Sequence, residues 1–374
     1  MDLSQIPSPC YVLDETLLAA NLELIRKVGR EADVEIILAL KGFAMWGVFP
    51  MIKPYVKGVS ASSIHEARLS YEEMGTRAHT YSPAYTDDDF DTLLKYSSHI
   101  TFNSLKQYER FHKRANGAVS MGLRINPEFS TVGTDLYNPC SPGSRLGITA
   151  CQLGESLPKD IDGLHVHALC ESSSEATRNL LEAVEMKFGH LFPHIHWLNL
   201  GGGHLMTRKG YNIQYLIDTL KTFRAKYPHI HLILEPGAAF AWETGVLAAT
   251  VEDIVENAGI RTAILDVSFT AHMPDCLEMP YKPRILGASD TQPSKRGWRI
   301  GGNSCLAGDY LGEWSFDEEP YVGKRIVFED MIHYTMVKTT TFNGVPHPSI
   351  GTWSDRGFTL LKKFKYEDYK NRLS

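Results

Sequence analysis

Nowhere in the 374 residues is there an unbroken apolar stretch approaching the ~20 residues that a membrane-spanning helix needs. The opening Met1-Asp2-Leu3-Ser4-Gln5-Ile6-Pro7 has neither a basic start nor an apolar centre, so it does not read as a secretion signal. The expectation is a cytoplasmic protein with no membrane partner. Paired cysteines are missing too: Cys10, Cys140, Cys151, Cys170, Cys276 and Cys305 are scattered, with no C-x-x-C and no zinc-type histidine spacing. That pattern excludes a disulfide scaffold and leaves no structural metal to expect. Basic blocks are lacking as well. The balance of 38 Lys+Arg against 44 Asp+Glu gives a net charge of −6, which argues against a nucleic-acid partner. It would suit a cationic ligand, or solubility alone. No long repeat or low-complexity linker interrupts the chain.

What is present is the composition of a globular protein, 43% hydrophobic and 22% charged, with length for one large core or two smaller ones. After a first strand near Tyr11–Asp14, short apolar runs alternate with segments of helical spacing through residue 240. The strands expected are 36–41, 58–62, 79–83, 99–104, 121–127, 163–168, 196–202 and 231–237. Helices are expected between them, for example at 64–74, 105–115, 175–188 and 211–227. Eight such pairs are the arithmetic of an α/β chain folded as a (β/α)8 TIM-type barrel, with a doubly wound sheet as the other solution. Beyond Gly245 the runs 246–255, 262–269, 298–300, 325–328 and 335–342 read as strands without long helices between them, which predicts a second, β-rich domain. The division expected is 15–240 for the barrel and 1–14 plus 241–374 for the β-rich domain.

Polar residues gather at the C-terminal ends of the barrel strands, the face where barrel enzymes build their sites. They are Lys41, Ser60, Ser62, Ser82, Asn103, Arg124, Asn126, His165, His167, Gly201 to Gly203 and Glu235. Lys41 follows the apolar run Ile36-Ile37-Leu38-Ala39-Leu40. Desolvated there, a lysine favours its neutral amine, the form that makes Schiff bases; the alternative is that it reaches out past the strand end to water. Asn199-Leu200-Gly201-Gly202-Gly203 ends the seventh strand, where backbone N–H groups could cradle a phosphate, or the glycines could serve a tight turn. Glu235-Pro236-Gly237 ends the eighth. A buried carboxylate there needs a cation, either a protonated ring nitrogen of a cofactor or a barrel arginine such as Arg124 or Arg145. His165 and His167 face one side of their strand, and either could stack on an aromatic ring or serve as a hydrogen-bonded core histidine. In the β-rich part, Gly301-Gly302-Asn303-Ser304-Cys305-Leu306-Ala307-Gly308-Asp309 holds a thiol among small residues, reactive or inert.

A lysine, a glycine triplet and Glu-Pro-Gly in that order, followed by a cysteine loop in a β domain, resemble the fold-type III pyridoxal-phosphate decarboxylases, the group of ornithine and diaminopimelate decarboxylases. The runs Leu136 to Gly147, Leu265 to Ser268 with His272 to Asp275, and Gly302 to Asp309 look most like carboxynorspermidine/carboxyspermidine decarboxylases. The resemblance implies an alanine racemase/ornithine decarboxylase-like fold and pyridoxal 5'-phosphate as cofactor. It implies that Lys41 carries the cofactor as a Schiff base, His167 stacks on its ring, Gly201, Gly202 and Gly203 bind its phosphate, and Glu235 pairs with the ring nitrogen. Tyr334 matches a tyrosine near the phosphate. Cys305 matches a thiol that a second subunit inserts into the site to return a proton, which implies a homodimer with shared active sites. Asp275 and Asp309 match acidic positions that bind substrate. Two departures stand out. Ala238 follows Glu-Pro-Gly where ornithine and diaminopimelate decarboxylases have a phosphate-binding arginine, and Leu306 follows Cys305 where ornithine decarboxylases have an aspartate. The second disfavours ornithine. The activity implied is decarboxylation of carboxynorspermidine and/or carboxyspermidine to norspermidine or spermidine. The alternatives are a decarboxylase of diaminopimelate or another basic amino acid, and a catalytically dead regulator, against which the presence of both Lys41 and Cys305 counts.

Overall fold

The computed structural model describes residues 1–133, 135–279, 281–291 and 296–374. The chain forms two compact units, one of residues 21–240 and one of residues 1–20 with 241–374. Strand β1 (Cys10–Asp14) opens the second of these. The helix Glu15–Ala32 follows, with Leu18, Leu22, Ile25 and Val28 buried along one face at helical spacing.

In the unit of residues 21–240, strands β2 (Glu35–Ile36), β3 (Leu38–Ala39), β4 (Val59–Ala61), β5 (Ala78–Tyr81), β6 (Ser97–Phe102), β7 (Ser120–Arg124), β8 (Gly163–His165), β9 (Trp197–Asn199) and β10 (His231–Leu234) run parallel in the order β2-β10-β9-β8-β7-β6-β5-β4-β3. β2 and β3 are two halves of one strand. At the break, the Ile37 N–H donates to Leu234 O (2.9 Å), so the first strand bonds β10 on one side and β4 on the other. Nine segments with two halves joined make eight strands, closed into a (β/α)8 barrel. Helices Ile64–Leu69, Asp87–Tyr96, Leu105–Ala115, Ser174–Phe188 and Ile213–Lys226 connect them. Several begin on the caps that their sequence supplies: Ser63, Thr86, Ser104 and Asn212 each accept a hydrogen bond from a first-turn N–H.

The other unit is a mixed sheet. Strands β11 (Gly245–Asn257), β12 (Ile260–Leu265), β13 (Ala288–Asp290), β14 (Trp298–Gly301), β15 (Tyr310–Phe316), β16 (Arg325–Glu329), β17 (Ser349–Ser354) and β18 (Gly357–Lys362) join β1 in the order β13-β15-β14-β12-β11-β1-β17-β18, with β16 also on β11. β1 lies between β11 and β17, as a strand of the β-rich unit. The fold is thus an α/β barrel with a β-rich companion.

One expected strand is absent. Residues 335–342 form a short helix, Tyr334–Val337, followed by a turn at Phe342–Gly344. The run is rich in β-branched residues, but its polar groups have other partners: Thr335 Oγ1 donates to Asp275 Oδ2 (2.8 Å), and the backbone N–H of Thr340 donates to Ala271 O (2.7 Å). Tertiary hydrogen bonds override strand propensity here. No helix among the described residues is long and apolar enough to cross a membrane, and among them no cluster of three or more His, Cys, Asp or Glu could hold a metal ion.

Candidate active site

β3 ends at Ala39, and Lys41 lies in the turn that follows it. Gly42 is what allows this turn to sit against the end of β10: a Cβ on Gly42 would come within 2.9 Å of Gly237 Cα. The lysine side chain does not run out to bulk water. Its Nζ lies 3.3 Å from His167 Nε2, beyond the end of β8, and lines a cavity of about 550 Å³ with Ser62, Tyr81, Arg124 and His167. Burial lowers its pKa, outweighing the opposing pull of Glu235, and Arg124 adds to the lowering.

Hydrogen bonding makes the same demand. The Gly202 N–H donates to His167 Nδ1 (2.9 Å), so Nδ1 is the acceptor and the neutral ring carries its proton on Nε2, facing Lys41. Burial pushes the His167 pKa well down, so the ring stays neutral. An Nε2–H facing an ammonium would set donor against donor; facing a neutral amine it finds a lone pair. Geometry and desolvation therefore both favour the uncharged form of Lys41.

Glu235 follows β10 and is buried. The sequence left a barrel arginine open as its partner; the structure gives it other ones. Asn199 Nδ2 donates to Glu235 Oε1 (2.6 Å), and His165 Nε2 lies 3.6 Å from Oε2. Burial would raise the Glu235 pKa, but His165 and Asn199 outweigh it and hold the carboxyl below its usual range. Arg124 instead donates to the His167 carbonyl (3.1 Å) and stacks its guanidinium over Tyr81, 4.5 Å from the ring centre.

Two of the three triplet amides are already occupied: Gly201 N–H donates to Asn199 Oδ1 (2.8 Å) and Gly202 N–H to His167 Nδ1. Space matters more for these glycines than their amides do. A Cβ on Gly201 would meet Val166 O at 2.6 Å, and one on Gly202 would meet Glu235 O at 2.7 Å. Gly203 has φ +91° and keeps its N–H uncommitted among the described residues.

Residues of the run Leu136 to Leu146 line this cavity. Asn103 ties the run down: Oδ1 accepts from Tyr81 Oη (2.8 Å) and Gly147 N–H (2.9 Å), while Nδ2 donates to Arg145 O (2.9 Å). The cavity lining carries Lys41, Arg124 and Arg145 and, among the described residues, no carboxylate.

The remaining candidates lie in the β-rich unit. Cys305 is exposed, its N–H donating to Asn343 Oδ1 (2.8 Å). Asp309 is buried and accepts Thr270 N–H on one oxygen and Ser304 N–H on the other (both 3.1 Å), which anchors the cysteine loop. Asp275 is buried, with Tyr281 Oη (2.6 Å) and Thr335 Oγ1 (2.8 Å) on Oδ2, and Oδ1 with no hydrogen-bond partner among the described residues. Tyr334 begins the helix Tyr334–Val337 and is half-buried. Asn199 and Tyr81 were not identifiable as site residues from sequence, and the 136–146 run stood out there through its family resemblance and Arg145, with no place in the site. An asparagine or tyrosine in a strand raises no desolvation alarm; position at the C-terminal end of a barrel strand was the one available signal.

This set fits pyridoxal phosphate. A buried lysine with a lowered pKa, a buried ionised carboxylate and a glycine turn packed against His167 and the Glu235 backbone stand at the ends of β3, β8, β9 and β10. The family description "pyridoxal-dependent decarboxylase, C-terminal sheet domain" matches residues 10–332. The chain is 53% identical over 373 residues to the carboxyaminopropylagmatine decarboxylase of Synechocystis sp., covering 99% of this chain and 96% of that one. It is 41% identical over 384 residues to the carboxynorspermidine/carboxyspermidine decarboxylase of Campylobacter jejuni, covering 100% of both. The crystal structure of carboxynorspermidine decarboxylase from Campylobacter jejuni complexed with norspermidine is similar over 98% of this chain and 100% of that one, at 41% identity and a TM-score of 0.91.

Proposed function

Because the chain belongs to the pyridoxal-dependent decarboxylases, within the carboxynorspermidine/carboxyspermidine decarboxylase group, we propose that it removes the α-carboxylate from an amino acid whose side chain is a polyamine, carboxynorspermidine and/or carboxyspermidine, releasing norspermidine or spermidine. The observation that carries this reading is the full-length 41% identity to a relative of that name, together with the buried Lys41, its pKa lowered, against His167.

Lys41 would carry the cofactor, His167 would lie against its ring, Glu235 would face its ring nitrogen, and Gly201 to Gly203 with Tyr334 would surround its phosphate. When bound, pyridoxal phosphate supplies a sink for the electron pair freed at Cα as carbon dioxide leaves. The protein's own part is to keep Lys41 neutral and nucleophilic, to keep Glu235 ionised, and to return a proton. Cys305 of a second copy is the proposed donor, with Lys41 as the other candidate, in a cytoplasmic homodimer. Asp275 and Asp309 are the proposed acids for the polyamine tail. Asp275 is the stronger of the two, since one of its oxygens has no partner among the described residues while both Asp309 oxygens hold backbone amides.

A second reading has its own support. The relative at 53% identity is named for carboxyaminopropylagmatine, whose tail ends in a guanidinium. Like a polyamine tail, that tail needs acids, whereas diaminopimelate, the other alternative, needs a cation for its distal carboxylate. Purified protein supplied with pyridoxal phosphate and carboxynorspermidine should form norspermidine, and Lys41→Ala should form none. Norspermidine produced equally by the variant would contradict the assignment.

A further inference from the structure

One side chain joins the acid to the glycine turn. Asn199, at the end of β9 and buried, donates from Nδ2 to Glu235 Oε1 (2.6 Å) and accepts on Oδ1 from Gly201 N–H (2.8 Å). The amide cannot be turned over without placing Oδ1 against a carboxylate and Nδ2 against a backbone donor, so its orientation is fixed by both partners. We propose that Asn199 is a positioning residue that fixes the carboxylate of Glu235 and the Gly201 end of the turn to each other, so that the ring-nitrogen and phosphate ends of the cofactor site keep one spacing. The inference rests on the reading of Glu235 and the glycine turn given above.

Residue type matters here. An aspartate would still accept Gly201 N–H, but would set a second carboxylate at hydrogen-bonding distance from Glu235. One of the two would then take up a proton near neutral pH. The other titratable groups facing Glu235 are His165 on β8, Lys41 after β3, His79 on β5 and His99 on β6. None of these links it to the glycine turn: His165, the nearest, lies at 3.6 Å from the other oxygen.

The test compares native protein with Asn199→Asp and Asn199→Ala. Two quantities are followed from pH 5 to 8: the melting temperature without cofactor, and the dissociation constant and visible absorbance of pyridoxal phosphate. The Asn199→Asp variant should melt close to native at pH 5, where the new carboxyl is protonated, and fall progressively behind toward pH 8. Its cofactor dissociation constant, relative to native, should worsen at least tenfold over the same range, with the absorbance profile displaced by at least one pH unit. Asn199→Ala should show a deficit in melting and cofactor affinity that does not change with pH. If Asn199→Asp fails to fold, the alanine variant decides: cofactor affinity and absorbance profile within twofold of native would overturn the proposal. The same result in Asn199→Asp would overturn it too. A native protein that shows the pH-dependent melting gap against Asn199→Asp yet takes up no pyridoxal phosphate would overturn the assigned role through the reading of the site, not through the hydrogen bonds.

Discussion

Two causes favour the neutral form of Lys41: burial, which lowers its pKa, and a histidine whose proton is directed at it. The backbone N–H of Gly202 occupies His167 Nδ1 and so presents Nε2–H to Nζ. Removing the ring should let the amine recover its proton. In His167→Ala, the pH midpoint for cofactor uptake by the cofactor-free protein is expected to move upward, read by stopped-flow absorbance; an unmoved midpoint would contradict the tautomer argument. A buried amine that must shed its proton also costs stability. Its folded pKa is lowered, so between that value and the ordinary lysine range the unfolded chain binds more protons, and stability rises with pH across this window. Lys41→Met should therefore melt higher than native at pH 7 without cofactor, with the gap closing as pH approaches ~10, while cofactor retention is lost. This exchange of stability for chemistry is what made the lysine legible in sequence: a charged residue at the end of an apolar run is a local inconsistency. The same logic exposed Glu235. It could not expose Asn199, which is uncharged and breaks no pattern, nor could it tell which of His165 and His167 would face the lysine.

The elements were legible where their periodicity was long, and less so where tertiary contacts decide. The helix Leu105–Ala115 falls where its spacing places it, whereas residues 335–342 gave up their strand propensity to hydrogen bonds with Asp275 and Ala271. The strands Tyr310–Phe316, Ser349–Ser354 and Gly357–Lys362 escaped the sequence reading because glycine and charged residues interrupt them. Inside the barrel, Trp197 on β9 lies across Gly163 of β8, where a Cβ would meet its ring at 2.0 Å. Gly163→Ala should cost about 1–3 kcal/mol or more through forced repacking, read as a lower urea midpoint. A stability close to native would contradict the packing account. His79 on β5 and His99 on β6 lie against each other with ring centres 3.8 Å apart and planes tilted by 31°. Burial, with His79 adding to it, lowers the His99 pKa to about 3. The unfolded chain then binds the extra proton between ~6.5 and that value, so stability is full above ~6.5 and declines as the medium is acidified. His99→Phe should flatten this acid slope in urea titrations from pH 7 to 4; an unchanged slope would assign the acid loss to other groups.

At the scale of the whole molecule, the alternation of strand and helix followed by a β-rich stretch was enough to reach the barrel with its companion sheet, because closure needs eight parallel strands and the chain supplies them in order. The substrate was less legible. The residues proposed to hold the reacting end sit at strand ends and announce themselves, but those proposed to meet the tail do not. Within the barrel unit the cavity offers cations and, among the described residues, no acid. A preference between tails differing by one methylene amounts to ~1–3 kcal/mol and has no motif. The relatives widen the choice to a guanidinium-ended tail while keeping the class, an α-amino acid with a long cationic side chain. The most direct test is a competition in one vessel: purified protein with pyridoxal phosphate and equal concentrations of carboxynorspermidine, carboxyspermidine, carboxyaminopropylagmatine and diaminopimelate, each followed by mass spectrometry. The account predicts that one or more of the three long cationic substrates is decarboxylated while diaminopimelate is untouched, and consumption of diaminopimelate ahead of all three would contradict it.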